Sequence, residues 1–165
     1  MTTGGPYDPN AYGQPSGYPP PLPPIQGGQP GGLGARFGAR IIDGILISII
    51  ALPLAFSVHG NGSILVTGLF SGLLTFIYYV AFEVTQGWTP GKKLLGLSVH
   101  GPNGAPKPTV KESAIRNGFT LLPIIPFGGL LALIAYIVIA VTINSSPTKQ
   151  GKHDELAGGT QVVKL

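Results

Sequence analysis

A chain of 165 residues suits one domain, but 44% apolar residues with only 10% charged lies far from the roughly one-quarter charged of soluble domains, so a soluble globular fold is excluded first. Ten Lys and Arg against six Asp and Glu leave a net charge of +4; in an apolar chain such an excess reflects cytoplasmic loops, and with no aromatic-rich basic patch beside it no nucleic-acid partner is expected. The lack of cysteine excludes disulfides, thiolate nucleophiles and cysteine-ligated metals.

Residues 1–34 are dominated by Gly and Pro, with Tyr7, Tyr12 and Tyr18 spaced among them. Such a stretch cannot bury enough apolar area to offset its ordering entropy, which predicts a disordered tether set apart from a membrane domain over 35–165. Its "PPPLPP" run favours polyproline II and suits the aromatic-lined groove of a protein partner. No basic region followed by an apolar one opens the chain, so no cleavable signal peptide is expected.

Two apolar segments follow, about 41–58 and 63–82, each close to the ~20 residues that cross a bilayer core. The "HGNGS" connector between them has Asn-Gly turn chemistry and no Lys or Arg. Lys92, Lys93, Lys107, Lys111 and Arg116 come after the second span, and the positive-inside rule assigns them to the cytoplasm with Arg36, Arg40 and the N-terminus. The small residues Gly44 and Ser48 in one span, and the GxxxG of Gly68 and Gly72 in the other, predict close packing of the two helices.

A third apolar region, about 118–143, is broken by "PIIPFGG". It reads either as a single span or as a helical hairpin with its tip near Pro126 to Gly129. The hairpin would return the C-terminus to the Arg36 side. A T-x-x-E capping box at Thr109 and Glu112 predicts an amphipathic interfacial helix from Val110. The segments "LGLSVHG" and "TQVVKL" alternate like short strands and can pair only if they share a side. The expected fold class is therefore an all-α integral membrane protein with short β pairing of its cytoplasmic segments.

The charged groups inside the first span pose the central problem. Arg36, Arg40 and Asp43 stand at i, i+4 and i+7, on one helix face. An aspartate at the centre of a spanning helix costs roughly 2.5–3.5 kcal/mol on insertion scales, so Asp43 should face a partner, and Arg40 one turn away is the expected one. Glu83 closes the second span and suits either that ion-pair network or the water boundary. "GWTPGKK" misses the phosphate-loop pattern by one residue and a hydroxyl, so it reads as an interfacial loop whose Lys92 and Lys93 meet anionic lipid headgroups beside Trp88. His59, His100 and His153 are scattered, no metal or other cofactor is expected, and no catalytic constellation is readable.

These residues carry a resemblance. The pattern R-F-x-A-x-x-I-D from Arg36 to Asp43, "TQGWTPGKKLLGLSV" and "KHDELAGGTQVV" resemble, in that order, motifs of the RDD family of small bacterial membrane proteins, over about residues 35–165. The Pro/Gly-rich leader is similar to those of actinobacterial proteins. The resemblance implies that Arg36 is the family's arginine, Asp43 and Asp154 its two aspartates, and Gly91, Lys92, Gly96 and Thr160 its flanking motif residues. It implies no established biochemical role; the spans and the Arg/Asp face themselves lead to the expectation of a multi-pass protein of the plasma (inner) membrane, not an enzyme, with a structural or partner-binding cluster. The alternative is a cation/proton transporter using Asp43 with Arg36 and Asp154, which in so short a chain would need a homo-oligomer.

Overall fold

The structure, a computed structural model, describes residues 28–59 and 64–165. Among them the helices are α1 (Leu33–His59), α2 (Ile64–Gln86), α3 (Pro90–Leu94), α4 (Val110–Asn117), α5 (Gly128–Ser145) and α6 (Lys152–Leu156); the strands are β1 (Leu97–His100) and β2 (Gln161–Lys164). A 3-10 segment, Gly118–Ile124, joins the α4 side to α5. The polyproline tether and most of the "HGNGS" turn lie outside the described residues.

Three stretches, Leu33–Leu54, Gly68–Gln86 and Gly128–Ser145, are long and apolar enough to cross a membrane. Their outward faces carry the exposed side chains of Ile45, Ile49, Leu73, Ile77, Leu130 and Ile137, an arrangement stable against acyl chains and costly against water. The 27 residues of α1 span about 40 Å at 1.5 Å per residue, against roughly 30 Å of hydrocarbon. About two turns at one end therefore project, and at the Arg36 end they are gathered into a small folded head.

That head is built on the strand pair. β1 and β2 are antiparallel, Val99 opposite Val162, and pack with Ala39 of α1 into a core of Ala39, Leu97, Val99 and Val162. Residues 29–31 continue the sheet, with Gly31 N donating to Val162 O at 2.8 Å and Lys164 N to Gln29 O at 2.8 Å. Residues 28–34, inside the expected tail, belong to the head because their backbone completes the open edge of β2.

The third apolar region is the hairpin. Thr109 and Glu112 form the expected capping box, Thr109 N donating to Glu112 Oε2 at 2.8 Å, and α4 then tightens into the 3-10 segment. This leg runs back along α2 toward its start: a Cβ on Gly72 would lie 3.1 Å from Thr120 O, and one on Gly68 would strike Pro123 O. The chain reverses through Phe127, whose φ of 60° is left-handed and whose ring is exposed, and α5 returns to the Arg36 end. At 18 residues α5 is about 27 Å long, at the short end of the roughly 17–25 residues of spanning helices.

The expected contact between Gly44/Ser48 and the GxxxG pair is corrected here. Ser48 is exposed and Gly44 has no neighbour where a Cβ would stand, while Gly68 and Gly72 receive the 3-10 backbone. The α1–α2 seam is instead Ile47 and Ala51 against Tyr79. The 3-10 leg brings main chain, bulkier at close range than a side-chain tip, and so takes the smallest residues available.

Candidate functional site

Three buried carboxylates organise the head end of the bundle, each on a different element and each held differently. Asp154, fully buried, stands on α6. Its Oδ2 accepts from Arg36 Nη1 at 2.8 Å and from Gly151 N at 3.1 Å; its Oδ1 accepts from Thr160 Oγ1 at 3.3 Å and lies 3.4 Å from Arg116 Nη1. Arg36 also donates through Nε to Gly31 O at 2.8 Å, so one guanidinium ties α1, the N-terminal edge and α6 together.

Glu83 on α2 is the second, also fully buried. Lys92 Nζ donates to its Oε1, while Ser113 Oγ and Asn117 Nδ2, one turn apart on α4, each donate to Oε2 at 2.9 Å. Arg116 Nε is 3.8 Å from Oε1, so Arg116 stands between Glu83 and Asp154. Arg40 joins through Asn117, donating from Nη2 to Oδ1 at 3.0 Å, and its guanidinium carbon lies 4.0 Å from the Tyr79 ring centroid. Of the two settings open for Glu83, the structure has the network.

Asp43 is the third, and its partners are neutral. Oδ1 accepts from Tyr78 Oη at 2.7 Å and from Gly91 N at 2.7 Å, and Oδ2 from Thr89 Oγ1 at 2.5 Å. Among the described residues no Lys or Arg forms an ion pair with it, so the expected Arg40–Asp43 pair is not there. The reason is local. Thr89 caps α3 with Pro90 at its first position, leaving the Gly91 amide among the first-turn donors that have no intrahelical acceptor. Asp43 supplies that acceptor, and a Cβ on Gly91 would stand 2.9 Å from Asp43 Oδ1.

The motif residues divide accordingly. Gly91 permits the close approach of α3 to α1, Gly96 makes the turn into β1 at φ 63°, and Thr160 bonds Asp154. Lys92 does not meet lipid: it is buried against Glu83, while Lys93, exposed, stacks its ammonium 4.1 Å from the Trp88 ring centroid. Sequence reasoning missed Thr89, Tyr78, Ser113, Arg116, Asn117 and His153. The spacing of Ser113, Arg116 and Asn117 marks one helix face, but nothing in one sequence says that this face turns inward. Among the described residues no cluster of His, Asp and Glu has metal-binding geometry.

Burial pushes the Lys92 ammonium down to about 8, with Glu83 opposing and Arg116 and Arg40 adding to the shift. Burial works against ionisation of Asp154, but Arg116 and Arg36 outweigh it and hold the carboxyl below its ordinary value. Burial lowers the His153 imidazole to about 3; Asp154 opposes that shift, and Arg116 on α4 with Arg40 and Arg36 on α1 reinforce it. The folded protein therefore keeps His153 neutral at pH values where the unfolded chain, near 6.5, takes up a proton. Stability is expected to fall as pH drops from about 6.5, because only the unfolded state gains that proton. In melting curves of detergent-solubilised protein, His153→Gln should flatten this loss between about pH 6.5 and 4; an unchanged slope would refute the assignment.

The family model of the RDD family matches residues 30–158. No curated protein and no solved structure matches the chain. The match spans all three carboxylates, Asp43, Glu83 and Asp154, and with three apolar helices the chain is a membrane protein. It belongs to the RDD family.

Proposed function

We propose that this is a non-enzymatic, multi-pass protein of the cytoplasmic membrane, with both termini in the cytoplasm, whose Arg/Asp cluster clamps the helix ends to a small cytoplasmic head. The observation that carries the reading is the 2.8 Å Arg36–Asp154 bond, which joins residues 118 apart in sequence and so needs the start of α1 and the C-terminal segment on one face. Charge supports the orientation: all ten Lys and Arg belong to segments at the Arg36 end, as the positive-inside rule asks of a cytoplasmic face. Buried acids are taken up in ion pairs and hydrogen bonds, the signature of a clamp. The proline-rich leader, continuous with the head, is suited to recruiting a protein partner.

Because the chain has no native cysteine, single cysteines report sidedness directly. An impermeant thiol reagent added to intact cells should label Phe127→Cys at the hairpin tip and spare Leu165→Cys. Labelling of Leu165→Cys from outside would refute the topology.

One observation favours a second reading, cation/proton exchange: Asp43 is a buried carboxylate with neutral partners, and intramembrane carboxylates are candidates for ion pathways. It requires that reconstituted protein move a cation against a pH gradient, and proteoliposomes showing no such flux would retire it.

A further inference from the structure

A cavity of about 70 Å³ lies between α1 and α5, beside the clamp but distinct from its hydrogen bonds. Arg36, Arg40, Lys92 and Arg116 all line it, and no carboxylate does. Glu83 and Asp154 stand behind these cations, so four positive groups share two acids, and Asp43 is taken up by Tyr78, Thr89 and Gly91. Excess positive charge at low dielectric is costly unless an anion joins it.

The donors are available for one. Arg116 is 2% exposed, and its Nε and Nη1 make no hydrogen bond, their nearest acid oxygens lying at 3.8 and 3.4 Å. Arg40 Nη1 is likewise buried without a hydrogen-bond partner. Desolvated guanidinium donors of this kind are rare in folded proteins, and their planar fork matches a phosphate oxyanion. The volume is several times the ~10–15 Å³ that one water needs, which admits a tetrahedral anion.

The rest of the wall is apolar. Phe119 and Ile143 line the interior; Phe37 and Tyr136, both substantially exposed, line the mouth on the faces of α1 and α5 that continue into the lipid-facing surface. We propose that this cavity binds a phosphate oxyanion, and the apolar mouth indicates that it arrives on a lipid headgroup. The inference goes beyond the clamp reading, and ligand response can fail while the sidedness labelling stands.

The test uses the full chain in phosphate-free neutral detergent, melted while the fluorescence of Trp88, which does not line the cavity, is followed. Short-chain phosphatidic acid should raise the midpoint saturably, and diacylglycerol of the same chain length should not. Arg116→Gln should weaken the response about tenfold or more, the scale of one lost charge-assisted hydrogen bond. Ala140→Leu, which fills the cavity from α5 without touching an ion pair, should fold normally and lose the response, so a misfolded arginine variant does not decide the matter. If inorganic phosphate alone reproduces the shift, the oxyanion is free phosphate. No shift with either phosphate source, or an undiminished shift in Ala140→Leu, overturns the proposal.

Discussion

Asp154→Asn is expected to destabilise the protein by about 3–5 kcal/mol, the cost of breaking a buried ion pair from one side. The carboxylate is fully buried and answers Arg36 at 2.8 Å and Arg116 at 3.4 Å; the amide leaves both guanidiniums inside without their acid. Losing a bond to solvent-exposed charge would cost far less, as at Lys152–Glu155, where both side chains are about half exposed. The diagnostic is non-additivity. Adding Arg36→Met to Asp154→Asn should cost less than the sum of the two single changes, because it removes one of the stranded charges. Equilibrium unfolding of the four proteins in detergent measures the coupling, and strictly additive costs would show that the pair does not clamp the head.

At Asp43 the effect should depend on the shape of the replacement rather than on its charge. Asp43→Leu strands the Tyr78 hydroxyl, the Thr89 hydroxyl and the Gly91 amide together, and a loss of about 3 kcal/mol or more is expected, since each unsatisfied donor costs ~1–3 kcal/mol. Asp43→Asn, by contrast, should cost only about 1 kcal/mol. Its carbonyl oxygen can still accept from Tyr78 and Gly91, and its amide can donate to the Thr89 hydroxyl, which rotates to receive it. Were Arg40 the partner of Asp43, neutralisation would strand a cation and the two variants would be similarly damaging. Melting temperatures of the two variants separate these cases. Since Asp43→Asn should stay folded, it also serves the exchange reading: a wild-type cation flux abolished in this variant would favour transport over a purely structural role.

Periodicity and punctuation make much of the architecture legible in the sequence. Apolar runs near bilayer length marked α1 and α2; Thr109 and Glu112 marked the start of α4; alternation marked β1 and β2; and two prolines and two glycines marked a break before α5, leaving open whether the chain crosses there or turns back. These features are local, and local backbone chemistry decides them. Seven of the ten basic residues, from Arg36 to Arg116, likewise pointed to one side of a membrane, and Lys149, Lys152 and Lys164 join them through the hairpin that the structure shows.

Partner choice was another matter, because it depends on which face meets which across distances that no spacing encodes. Helical geometry put Arg40 within a turn of Asp43, yet a side chain chooses among all neighbours. Asp43 turned to the open first-turn amide of α3, and Arg40 to Asn117 and the Tyr79 ring. Ser113, Arg116 and Asn117 form a polar stripe that water could equally have claimed; the docking of α4 on α2 turned it toward Glu83. Composition and pattern thus determined that the chain enters a membrane, where its long apolar helices lie and which end carries most of the positive charge. Only the tertiary structure decided how the acids share the cations, because burial makes every unpaired polar group costly and leaves the fold to settle which donors and acceptors can meet.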